Sequence, residues 1–169
     1  MSLRILHVLD HSLPLHSGYS FRTLAILREQ RALGWQTVHL TTPKQGAGDA
    51  LCEEVDGWLF HRTPSAPRCG LLQQMRLTAA RLQQVVRSTA PDLIHAHSPV
   101  LNALPSLWVG RRQRLPVIYE MRASWEDAAV DHGTTRAGSL RYRASRALES
   151  FALRHADEVT TICQGLHGD

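Results

Sequence analysis

Lysine is almost missing from this sequence: Lys44 is the only one, so the formal charge of +4 and the pI near 9.4 are carried by arginine. Arginine suits bidentate contact with phosphate or carboxylate, which fits a polyanionic lipid-linked acceptor or an anionic membrane surface. A basic, merely solvated surface satisfies the same count. Basic residues and aromatics are not interleaved in any recognition motif, which argues against nucleic acid as a partner. Cysteine is scarce too. Cys52, Cys69 and Cys163 are odd in number and form no C-x-x-C pair, which argues against a disulfide framework or metal knuckle and points to a reduced, cytosolic compartment.

No stretch approaches the ~20 apolar residues of a membrane-spanning helix. Met1 to Arg4 runs straight into an apolar strand pattern, so neither export nor a signal peptide is expected. The G-x-G-x-x-G fingerprint is missing, and Thr41-Thr42 stand where an acidic residue would close the second strand of an NAD-binding unit. A nicotinamide-linked enzyme is therefore disfavoured.

What is present reads as strands alternating with helices. The 169 residues suit one domain, able to bury roughly two thirds of its unfolded surface. Apolar runs predict strands at 3–9, 36–41, 57–62, 92–97, 116–121 and 157–163. Three- and four-residue apolar spacing predicts helices at 19–33, 71–89, 100–112 and 137–155. The stretch KQGAGDALCEEVDG reads as a loop. Such alternation implies an α/β, Rossmann-like open sheet, mostly parallel, with helices on both faces.

Ligands of such a sheet sit beyond the carboxyl ends of its strands, so the loops that follow strands carry the chemistry. The first, 11–20, holds His16, Ser17, Gly18 and Tyr19 ahead of a helix. Gly18 would admit a ligand close to the backbone or simply permit a tight turn, and the helix N-terminus offers unpaired N–H groups to an anion. The second is HAHSP. His95 and His97 share one strand face, as a metal clamp requires, but no third ligand stands at matching spacing, and hydrogen-bonded pocket walls are the commoner role. The third, YEMRASWEDAAVDHG, gathers Glu120, Arg122, Trp125, Glu126, Asp127, Asp131 and His132 after a strand; it either binds something or is a surface ion-pair cluster.

The succession ILHVLDHSLPLHSGYSFRTLAILREQRALGWQTVHLTT, PDLIHAHSP, PVIYEMRASWED and ADEVTTIC resembles the N-terminal domain of family 4 glycosyltransferases over residues 3–166. The Y-E-x-R-x-x-W-E-D loop is similar to that of a subgroup serving bacterial polysaccharide assembly, as in systems that accompany exosortase. The resemblance implies a two-domain GT-B enzyme that moves a sugar from a nucleoside diphosphate donor to a glycan or lipid-linked acceptor, with retention and with no required metal or cofactor. It implies that the first domain binds the acceptor, and that the loop matched here by Ser17, Gly18 and Tyr19 lies near the donor diphosphate. His97 matches an H-x-H strand end that lines the acceptor pocket, and His16, Trp125, Glu126 and His132 are the further acceptor-side candidates. Many members carry a histidine after the fifth strand in a T-x-H-D context; here Arg122 and Ala123 stand instead. Arg122 and Glu120 are accordingly the catalytic candidates.

Retaining chemistry of this kind calls for hydrogen-bond donors aimed at the leaving diphosphate in a closed cleft. Most of the donor site belongs to a second domain, with two glutamates spaced by seven residues, which is expected beyond GLHGD. This chain alone is expected to be inactive, because both halves must close on the donor. Two other readings stay open: half of a GT-B nucleotide-sugar epimerase, and a non-catalytic glycan-binding module. The expected location is the cytoplasm, with peripheral contact at the inner face of the membrane.

Overall fold

The computed structural model describes residues 2–46, 49–65, 70–123 and 139–164. They form a seven-stranded sheet in the order β3-β4-β2-β1-β5-β6-β7, crossed by four α-helices. The strands are β1 (Arg4–Leu9), β2 (Gln36–Thr41), β3 (Cys52–Val55), β4 (Trp58–Arg62), β5 (Leu93–His97), β6 (Val117–Met121) and β7 (Glu158–Thr161). The helices are α1 (Gly18–Ala32), α2 (Leu71–Thr89), α3 (Val100–Gln113) and α4 (Leu140–His155), with a 3-10 turn at Pro43–Gln45. The expected α/β sheet, mostly parallel, is what forms. No described helix is long and apolar enough to cross a membrane.

The departure from the sequence reading is β3, which lies inside the stretch read as a loop. It pairs antiparallel with β4, Val55 opposite Trp58, around Asp56-Gly57. Both turn residues have positive φ, 52° and 74°. Asp-Gly in that conformation makes the two-residue hairpin whose twist matches the flanking strands. Being an edge strand, β3 carries Glu53 and Glu54 in place of an apolar alternation, which is why apolar patterning does not find it.

Alternation along the central strands separates two layers. Leu6 and Val8 of β1, Ile94 and Ala96 of β5, and Val117 and Tyr119 of β6 pack with Leu82 and Val85 of α2, Leu107 of α3 and Ala152 of α4. Gly110 of α3 lies so close to β6 that a Cβ there would stand 2.4 Å from Val117 Cγ2. The opposite face carries Leu9, Trp58 and Phe60, covered by Leu24 and Leu27 of α1. Buried Arg62 fastens the β1–α1 loop to that edge, donating to Ser12 Oγ at 2.6 Å, to Leu13 O at 2.5 Å and to Glu53 Oε2.

From β1 the chain builds outward to β2 and β4, then returns through α2 to β5 on the other side of β1. The loops after β1 and β5 therefore part company, and this reversal of strand order is where doubly wound sheets bind ligands.

Candidate functional site

Four neighbouring strands put titratable side chains on the face beneath α1. In register, His39 of β2 lies beside His7 of β1, His7 beside His95 of β5, and His97 beside Glu120 of β6. Arg122 follows Glu120 by two residues, and His7, His97, Glu120 and Arg122 are all buried.

Glu120 is the hub. Its Oε2 accepts from His97 Nδ1 at 2.5 Å and from Arg122 Nε at 2.9 Å, and its Oε1 accepts from Arg22 Nη2 at 2.9 Å. Burial pushes this carboxyl up, but the His97 hydrogen bond and the guanidinium charges outweigh burial and hold it well below the ordinary carboxylate range. Burial lowers His97 despite that bond, so the ring is neutral. A carboxylate at 2.5 Å requires the proton on Nδ1, since a bare lone pair would repel it. Arg122 Nη2, 2.6 Å from the same Nδ1, is then bonded to Glu120 Oε2, at 2.9 Å, rather than to the ring.

Every guanidinium nitrogen of Arg122 is engaged inside the chain, Nη1 donating to Tyr19 O and Thr23 Oγ1. Its carbon lies 4.2 Å from the centre of the Tyr19 ring. Arg122 therefore positions α1 on the sheet and would reach a ligand only by surrendering one of these bonds. Tyr19 likewise faces inward, its hydroxyl accepting from the Asp10 amide at 3.0 Å and its ring stacked on His11.

Ser17 caps α1, its Oγ accepting from the Ser20 amide at 3.1 Å. The amides of Gly18 and Tyr19 find no acceptor among the described residues, as the first turn of a helix dictates. Gly18 has no positive φ, so the turn does not require glycine, and a Cβ there would meet nothing within 4 Å. The tight-turn explanation thus fails, and the missing side chain leaves open space over a helix N-terminus. His16 is exposed beside Phe21, their ring centres 5.6 Å apart. Trp125, Glu126 and His132 lie outside the described residues, so of the acceptor-side candidates only His16 and His97 can be placed.

Sequence reasoning missed two cations. Arg22, one turn into α1, holds Glu120 through Nε and Nη2 while its side chain stays 44% exposed. Lys44, in the 3-10 turn after β2, pairs with Asp10 Oδ2 at 2.9 Å. That pair enters a cleft of about 260 Å³ also lined by Thr42, Gln74 and Asn102. Arg22 at four residues from Gly18 was the available signal, because residues so spaced share one helix face.

A glycosyl transferase 4-like domain model matches residues 17–169. The chain belongs to this family. Among curated proteins none matches it. UDP-N-acetylglucosamine 2-epimerase from Rickettsia bellii superposes at TM-score 0.62 and 10% identity over 98% of this domain and 40% of the epimerase. Sucrose-phosphate synthase from Thermosynechococcus elongatus does so at 0.61 and 16%, over 98% and 79%. UDP-GlcNAc 2-epimerase from Methanocaldococcus jannaschii gives 0.55 and 12%, over 97% and 40%. At such identities the likeness is one of fold. The glycosyl transferase 4-like domain spans well under two thirds of either epimerase.

Proposed function

We propose that this domain is the acceptor-side half of a retaining glycosyltransferase that passes a sugar from a nucleoside diphosphate donor to a glycan or lipid-linked acceptor in bacterial cell-surface polysaccharide assembly. The observation that carries the reading is the open N-terminus of α1 at the strand-order reversal, with Gly18 bare and Arg22 behind it. Two unpaired amides, the positive end of a helix and a half-exposed guanidinium suit the charge that develops on a departing diphosphate. No cofactor enters this scheme, and the nucleotide is substrate.

The domain works against a second α/β domain that holds most of the donor, and is inactive without it. His97 and His16 serve the acceptor side together with Trp125, Glu126 and His132. Glu120 acts through Arg22, which it aims, rather than on the sugar, and Arg122 acts through the placement of α1. A lipid-linked acceptor fits peripheral attachment to the cytoplasmic membrane face. Exposed Leu72 and Trp108, beside Arg76 and Arg112, offer that surface an apolar strip edged with cations.

The test is an assay of the longer protein carrying both domains, supplied with nucleotide sugars and polyprenyl-phosphate-linked acceptors. Acceptor-dependent release of nucleoside diphosphate, with product of unchanged anomeric configuration by NMR, is expected. Nucleotide release without acceptor, or an epimerised sugar, contradicts the reading.

A further inference from the structure

Three histidines converge under α1, and two of them, His7 and His95, have no part in the transfer reaction. One ring nitrogen from each of His7, His95 and His97 lies within 4.8 Å of the other two. The third ligand that linear spacing could not supply comes from β1, because the parallel register sets His7 directly beside His95.

The hydrogen bonds favour one set of free nitrogens. His97 gives its Nδ1 proton to Glu120, leaving a lone pair on Nε2. His7 Nε2 lies 2.8 Å from Gln30 Oε1 and donates to it, leaving a lone pair on Nδ1. Those two lone pairs face each other at 2.9 Å, a repulsive arrangement unless something positive lies between them. The His95 ring stacks on His97 at 4.2 Å, and its buried Nε2 has no hydrogen-bond partner among the described residues. A buried nitrogen without a partner is unfavourable, so it calls for an occupant.

We infer that His7 Nδ1, His95 Nε2 and His97 Nε2 form a three-imidazole site for a divalent transition metal of the zinc type. Imidazole is the ligand such ions prefer. Nitrogens bound at about 2.0–2.1 Å stand about 3.3 Å apart around a tetrahedral ion, so the 2.9 Å pair opens slightly while His95 closes in. The outer contacts are those expected of ligating histidines: Glu120 accepts from His97 and Gln30 from His7, each fixing its ring by the nitrogen that does not bind metal. Burial keeps all three rings neutral, so no proton need leave before the ion binds. The ion ties β1 to β5 at the strand-order reversal and locks the Nδ1 proton of His97 onto Glu120. Its role is structural.

The test uses the full 169-residue chain, free of any tag, stripped with chelator and then titrated with Zn2+ or Co2+. One equivalent should bind, Co2+ should develop the visible d–d bands of a four-coordinate site with three imidazoles and a water, and Zn2+ should raise the melting temperature. His95→Ala removes a ring stacked on His97 and so lowers the metal-free melting temperature, but against that baseline it should weaken Zn2+ at least tenfold and abolish the Zn2+-dependent rise. Cys52→Ser, which breaks the exposed Cys52–His61 pair, should bind as the parent does. Binding below one equivalent, or equal binding by His95→Ala, overturns the site; the lone-pair conflict would then be relieved by a turned Gln30 amide and a His7-to-His97 hydrogen bond.

Discussion

Arg22 and Glu120, 98 residues apart in sequence, are joined by two donors on one oxygen, Nε at 3.2 Å and Nη2 at 2.9 Å. The bond ties the helix that carries Gly18 to the strand that Arg122 follows. Its carboxylate side is buried and its guanidinium side half exposed, so one partner is fixed by the core while the other is open to solvent. The angle at which α1 presents its N-terminus is thus set by a buried acid.

Arg122→Ala should destabilise the domain rather than simply remove a ligand contact. Deleting one partner of a buried charged pair costs about 3–5 kcal/mol. Arg22 and His97 stay on Glu120, which places the expected loss at the lower end. Urea unfolding at neutral pH measures it, and a midpoint equal to that of the parent contradicts the positioning role.

Acid should weaken the fold through His39 before the carboxylates respond. This buried ring donates Nδ1–H to Leu59 O at 2.8 Å and accepts from Thr37 Oγ1 at Nε2, and burial lowers its pKa from 6.5 to about 4. The unfolded chain then binds a proton that the folded chain refuses, so this contribution is intact above pH 6.5 and is lost as pH falls toward about 4. The amount at stake is about 3 kcal/mol. Unfolding midpoints across that window should decline less steeply in His39→Gln, and identical slopes would show that His39 does not carry the effect.

Gly110→Ala should destabilise by about 1–3 kcal/mol, the usual cost of overpacking. The added methyl meets Val117 Cγ2 at 2.4 Å and Leu115 O at 2.9 Å, and backbone cannot swing aside as a side-chain tip can. Val117→Ala should recover part of the loss by removing the first clash. Thermal melts of the single and double variants check both statements.

The sheet and its helices were legible because buried parallel strands are near-continuous apolar runs and the helices show regular apolar spacing. β3 was not, since Glu53 and Glu54 replace the apolar signal on an edge, although Asp56-Gly57 marked its turn. Within the site, Gly18, His97, Glu120 and Arg122 stood out as residues at strand ends. The inward role of Arg122 did not, because it depends on Thr23 and Tyr19 of α1, about a hundred residues earlier. The joining of His7 to His95 and His97 was hidden for the same reason: parallel register is a property of the sheet, not of spacing along the chain.

Gly18→Ala in a protein with the second domain proposed above tests the central claim most directly. The added methyl meets no atom of the domain within 4 Å, so unfolding should be unchanged or slightly delayed. If the bare turn admits the donor diphosphate, sugar transfer should fall about tenfold or more, a loss of at least ~1.4 kcal/mol in transition-state stabilisation. Transfer at the parental rate by a normally folded Gly18→Ala protein would contradict the account.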